Sequence, residues 1–270
     1  MTSTTDATGT RQLERVLEIQ APIESVWKAL TDAQELMNWF PVEARVTPGE
    51  GGSVYMAWED FFHGESKIEI WEEPTHLRTS FFDEPGEHGE PMATAVDYYL
   101  ESKDGSTVLR LVHSGIGHGS EWDKLFDGFT HGWRSELASL RHYLEVHPGK
   151  QRRVAWTFVP TQLADDTVWE RVTGPRGLNI RQDIVPGDVF DAHLPTGDEF
   201  LGKVLLWKPG RQLVATVANL DNAFFRFDLD DCGPMGRSAW VWLGTYGISR
   251  EVVSGIEERL KNWLTDLLGA

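Results

Sequence analysis

The sequence predicts an α+β protein built from two tandem units, each a curved antiparallel sheet wrapped around a long C-terminal helix. Three observations lead there. A long amphipathic helix pattern at 120–146 follows a run of strand-like segments, and a second such pattern ends the chain. Between them, motifs of the first half return in weaker form after about 140 residues, one domain's worth rather than the short period of a solenoid.

The stretch Ser120 to Val146 carries the strongest periodicity. Trp122, Phe126, Phe129, Trp133, Leu137, Leu140 and Leu144 recur at steps of three or four and share one helical stripe. Ser120 with Asp123 predicts a capping box, and Pro148-Gly149 a stop. At about 1.5 Å per residue the helix is roughly 39 Å long, more than packing in a small domain needs, so a concave sheet is expected around it.

The elements before it follow in order. Residues 1–10 lack an apolar or basic leader and are expected to form a disordered tail. From Gln12, the apolar Leu13, Leu17 and Ile19 alternate with polar residues as in a half-buried strand. Pro22 suits the first turn of a helix, IESVWKAL continues it, and Thr31-Asp32 with Gln34 and Glu35 predicts a second short helix through overlapping capping boxes. Six strands are then expected: Ala44–Thr47, Ser53–Glu59, Lys67–Trp71, Leu77–Phe82, Thr94–Glu101 and Thr107–His113, the last two joined by the Lys103-Asp104-Gly105 hairpin signal. The run GEGGS at 49–53 precedes a strand and lacks a following Lys-Ser or Lys-Thr, so it reads as a turn and not a phosphate loop.

One seven-stranded sheet with a single long helix buries its apolar face most simply by curling around that helix. The segments RVLEIQAPIESVWKALTDAQELMNWFP, PGEGGSVYMAW, HSGIG and GWRSELASLRHYLE, in this order, resemble the SRPBCC superfamily, and within it the activator of heat shock protein 90 ATPase-like proteins. The resemblance covers residues 11–147. It implies a helix-grip fold with a cavity between sheet and helix.

After the His147-to-Arg153 linker, RRVAWTFVP echoes the first strand. DTVWERVTGPRGL aligns Trp169 with Trp27, and GKVLLWKPGRQLV aligns Trp207 with Trp71. DIVPGDVF is the next strand-like stretch, so this second domain, 152–268, is expected to be shorter. Its closing helix carries Val252, Ile256, Leu260, Trp263 and Leu267 on one stripe.

Composition narrows the function classes. A net charge of -17 and a pI near 4.9 argue against nucleic acid or an anionic membrane as partner. One cysteine, Cys232, excludes an internal disulfide framework and fits a cytoplasmic protein; beside two aspartates it suggests no thiol chemistry. No stretch is apolar over the length that a membrane span needs.

Candidate site residues come from the first half. His113 shares strand parity with Leu109 and Leu111 and should face the helix, where a histidine can orient a ligand or simply be satisfied in the core. Tyr98 alternates with Val96 and Leu100, and its phenol needs a partner, either a protein group or a ligand oxygen. Together with Trp58, Trp122, Phe126, Phe129 and Trp133 these residues are expected to line a pocket. His118 lacks the further ligands that a metal site requires, and His131 is expected on the solvated side of the helix. Trp156, Trp240 and Trp242 are expected to face inward in the second half, where with Phe225 and Phe227 they form an aromatic face that closes on itself.

Neither an acid–base pair nor a nucleophile elbow stands out, and no cofactor or metal is expected. The leading expectation is non-enzymatic binding of a small hydrophobic molecule. The resemblance also implies two alternatives: a co-chaperone-like regulator of a heat shock protein 90 type ATPase, and an enzyme resembling the polyketide cyclases and aromatases. A monomer with an internal pseudo-dimer is expected, since a fused repeat supplies its own partner at high effective concentration.

Overall fold

The computed structural model describes residues 4–5, 9–59, 62–83, 92–231 and 236–269. Cys232 lies outside them. The protein is α+β and divides into two compact units, Met1–Gly149 and Lys150–Ala270.

The first unit contains β1 (Thr4–Thr5), β2 (Arg11–Ile19), α1 (Ile23–Thr31), α2 (Ala33–Leu36), β3 (Glu43–Thr47), β4 (Ser53–Trp58), β5 (Phe62–Glu72), β6 (His76–Asp83), β7 (Met92–Lys103), β8 (Ser106–Ile116) and α3 (Ser120–Val146). Its antiparallel sheet runs in the order β1-β2-β8-β7-β6-β5-β4-β3. The seven expected strands are all present. An eighth was not expected: Thr4 and Thr5, in the segment read as a disordered tail, pair with Gln12 and Arg11 on the free edge of β2.

Local chemistry explains most boundaries. Asp104 and Gly105 both have positive φ, 49° and 88°, which is what a two-residue turn between twisted strands demands. Asp32 Oδ1 accepts from the backbone N–H groups of Gln34 and Glu35 at 2.9 and 3.1 Å and caps α2 alone, while the Thr31 hydroxyl turns back to Trp27 O at 2.8 Å. Pro22 is the cap of α1 rather than its first residue. The capping box expected for α3 does not form either. Gly119 is its N-cap at φ 108°, and Asp123 instead binds Arg11 Nη1 at 2.6 Å.

The C-terminal half of α3 is packed shut, with Leu137, Leu140, Tyr143 and Leu144 buried. Tyr143 Oη donates to Glu35 on α2 and accepts from Asn38 Nδ2 and Gly149 N, each at 3.1 Å, pinning both helices to the end of the unit. The Ser139 hydroxyl donates to Trp39 O at 2.8 Å. His131 is buried, with its Nε2 3.1 Å from Asp127 Oδ1, not on the solvated side as its spacing suggested. The helix buries Thr130, His131, Ser135 and His142 as well as Trp133, Leu137, Leu140 and Leu144 of the apolar stripe, so it is covered around more of its circumference than one amphipathic stripe implies.

The second unit repeats the plan in shorter form: β9 (Arg152–Pro160), α4 (Asp165–Thr173), β10 (Val189–His193), β11 (Glu199–Lys208), β12 (Gln212–Val217), a 3-10 turn (Ala218–Leu220), β13 (Ala223–Asp230), β14 (Ser238–Tyr246) and α5 (Arg250–Leu268). Six strands are ordered β10-β11-β12-β13-β14-β9, the order of the first sheet without its two edge strands. Only Val189 and Phe190 of DIVPGDVF enter a strand. The repeat is visible in side-chain contacts. Trp27 meets Trp71 with centroids 5.2 Å apart, and the aligned Trp169 and Trp207 meet at 4.8 Å.

The second core joins Phe190, Phe200, Phe225, Phe227, Ala239, Val241 and Leu243 of the sheet to Val253, Ile256, Leu260, Trp263 and Leu264 of α5. Val253 takes the inward place expected of Val252, which is exposed. Trp156, Trp240 and Trp242 are not on this inward face. Ala155 and Val159 on β9 and Ala239, Val241 and Leu243 on β14 occupy it, and strand alternation sends the tryptophans to the other side. There Trp156 stacks on Trp240 at 5.9 Å and Phe158 on Trp240 at 4.7 Å.

Candidate functional site

The site lies where the N-terminal half of α3 passes over β7 and β8. Tyr98 pairs with Leu111 and Val96 with His113 in the β7–β8 ladder, so Tyr98 and His113 emerge on one face of neighbouring strands. That face meets α3 at Trp133. The Trp133 ring is 6.1 Å from Tyr98 and 6.2 Å from His113, edge-on to both. Phe129, one turn earlier, lies 4.4 Å from His113.

Of the seven expected residues, five form one cluster centred on Trp133. Trp58 joins through Phe40, which contacts Trp58 at 5.4 Å and Trp133 at 5.8 Å. Phe40 is a wall residue that sequence reasoning missed. It sits in the turn after α2, where no periodicity marks a face; the aromatic pair Trp39-Phe40 before Pro41 was its only signal. Trp122 and Phe126 are placed separately. The Trp122 indole lies so close to Gly117 that a Cβ there would come within 2.6 Å of it, and Phe126 lies under the Arg11 guanidinium at 4.7 Å. Arg11 also donates to Gly117 O at 2.9 Å, which ties this corner to the β8–α3 loop. His118 Nε2 is 2.9 Å from Gly9 O.

His113 is the polar centre of the wall. Trp133 Nε1 donates to His113 Nδ1 at 3.0 Å. The second ring nitrogen, Nε2, is buried and has no hydrogen-bond partner among the described residues. A buried donor or acceptor left unmade costs about 1–3 kcal/mol, so such a group calls for a reason. Burial also pushes the imidazole pKa down to about 4, keeping it neutral at pH 7. Tyr98 is buried too. Desolvation first, and the Glu136 charge second, push its pKa up, so it remains a phenol.

The opposite face of β6 and β7 carries a different cluster. Asp97 is buried, 2.8 Å from His76 Nε2 and paired with Arg78, and the His76 ring stacks on Tyr99 at 4.2 Å. Each polar group there has a partner, which is the arrangement of a structural network. In the second unit, a depression of about 370 Å³ lies between the C-terminal ends of α4 and α5, lined by Glu170, Arg171, Arg176 and Asp266 among others. Leu267, a residue of the second core, also lines it. Among the described residues no group of three or more His, Cys, Asp or Glu could hold a metal, and no helix is long and apolar enough to cross a membrane.

Comparison with known proteins finds similarity in the first unit and in several solved structures. Residues 20–145 match the model of the Activator of Hsp90 ATPase homolog 1-like protein family. No curated protein matches the chain. Among solved structures, CalU16 from Micromonospora echinospora is 25% identical, with 53% of this chain and 82% of that one covered and a TM-score of 0.41. The di-domain ARO/CYC BexL from the BE-7585A biosynthetic pathway is 14% identical over 96% of this chain and 99% of its own, with a TM-score of 0.43. DynU16, a putative protein in the dynemicin biosynthetic locus, is 18% identical over 95% of each chain, with a TM-score of 0.41. Residues 20–145, which hold the wall around Trp133, are thus the part of this α+β chain that is similar to the Activator of Hsp90 ATPase homolog 1-like protein family.

Proposed function

We propose that the first unit binds a small, mostly apolar molecule against Trp58, Tyr98, His113, Phe129 and Trp133, with Trp122 and Phe126 at its rim. The observation that carries this reading is a difference between the two closing helices. In α5 the inward residues Val253, Ile256, Leu260, Trp263 and Leu264 are all buried in one core. In α3 the inward Trp122, Phe126 and Phe129 stay only half-buried, although each has an aromatic or apolar surface large enough to close a core. Aromatic walls left partly open, with a few polar groups among them, suit ligand recognition better than stability.

Binding is favoured over acid–base catalysis. His113 is neutral, and no carboxylate among the described residues hydrogen-bonds to it to make it a stronger base. The test is a thermal-shift screen of the full chain against fatty acids and aromatic polyketides, with native mass spectrometry of freshly purified protein to find any retained ligand. Ligands should raise the melting temperature of wild type and lose that effect in Phe129→Ala. A panel without hits and a protein free of bound ligand would count against the reading, and ligand density between the second sheet and α5, around Trp263, would move the site to the other unit.

A further inference from the structure

The hydrogen bond between Trp133 and His113 settles more than the orientation of a ring. An indole nitrogen can only donate, so His113 Nδ1 must be the acceptor at 3.0 Å. A neutral imidazole carries one proton, and with Nδ1 accepting, that proton sits on Nε2. The orphaned nitrogen is thus an N–H donor, buried beside Phe129 and Trp133 in an otherwise apolar wall. Its donor character does not depend on the identity of any neighbour beyond Trp133.

We infer that His113 Nε2–H is the recognition group of the site and that the ligand is a flat apolar molecule presenting a carbonyl-type oxygen to it. This rests on the proposed binding site in the first unit and names the chemistry that the site selects. An acceptor oxygen completes the hydrogen-bonding capacity of the ring, whereas a donor such as an ammonium or amide N–H meets another donor and is rejected. The aromatic faces of Phe129 and Trp133 favour a planar body around that oxygen. Tyr98, on the next strand, adds a phenol hydroxyl to the same face. The depressed pKa of His113 is consistent with this role, because a protonated ring could not accept from Trp133.

A matched pair of probes tests it: fluorenone and fluorene, which share a tricyclic frame and differ by one carbonyl oxygen. In equilibrium dialysis with the full chain, fluorenone should bind about tenfold more tightly than fluorene, the effect of one buried hydrogen bond. In His113→Phe the two should bind alike. Because that variant could fail to fold, nitrogen–proton NMR of the histidine rings in wild type gives an independent reading. His113 should carry its proton on Nε2, and that proton should shift on adding fluorenone but not fluorene. Equal affinities in wild type, a preference for fluorenone that survives in a folded His113→Phe, or a proton found on Nδ1 would each overturn the inference while leaving the binding site intact. Failure of both probes to bind wild type would overturn the binding site and the inference with it.

Discussion

Acidification from pH 7 to pH 5 should weaken the first unit through His113. In the unfolded chain this histidine has its ordinary pKa of 6.5, and in the folded protein burial lowers it to about 4. Between these values the unfolded state binds the proton and the folded state does not, so stability falls as pH falls. The contribution is complete above pH 6.5 and lost by about pH 4, and the gap corresponds to about 3 kcal/mol. Around pH 5 about 2 kcal/mol of it is already gone. His113→Gln provides the reference, because glutamine keeps an acceptor for the Trp133 indole but does not titrate. Other histidines and the carboxylates titrate in both proteins and cancel in the difference. Amide hydrogen exchange in β7 and β8 reports the opening free energy of this region. The difference between wild type and His113→Gln should change by about 2 kcal/mol between pH 7 and pH 5. A difference that stays constant, or an NMR titration of His113 centred near 6.5, would refute the argument from burial.

Other expectations follow from single positions. Gly132→Ala in α3 has open space around its new Cβ and should raise stability by roughly 0.5–1 kcal/mol in thermal unfolding. Gly202→Ala places a Cβ 2.0 Å from Thr216 O, so β11 and β12 must part; a loss of about 3 kcal/mol is expected in the second unit. Trp242→Ala should cost only about 1–2 kcal/mol, because Trp242 is half-buried on the outer face of its sheet. Asp97→Ala strips Arg78 and His76 of a buried acceptor and should cost about 3 kcal/mol by urea unfolding. Limited proteolysis should cut in the exposed residues 148–151 and release pieces near 11–147 and 152–268, and light scattering should give a monomer of 30.5 kDa.

The elements and the repeat were legible because they depend on local chemistry. The span of α3 follows from a stripe every three or four residues and the Pro148-Gly149 stop, and the β7–β8 hairpin from Asp104-Gly105. The alignment of Trp27 with Trp169 and of Trp71 with Trp207 anticipated two equivalent contacts, because a repeated sequence repeats its packing. Face choice in the second sheet was not legible. Trp156-Thr157-Phe158 and Trp240-Val241-Trp242 are apolar on nearly every residue, so alternation offers no polar side to mark the outside. Contact with α5 chose the smaller Ala155, Ala239 and Val241 for the interior. His131 has a polar side chain, and its burial could not be read from its spacing along the helix. The candidate site divides the same way. Strand parity placed His113 and Tyr98 on one face, but the Trp133 hydrogen bond that makes His113 Nε2 a donor joins residues 20 positions apart on different elements, a distance and an angle that only tertiary packing decides.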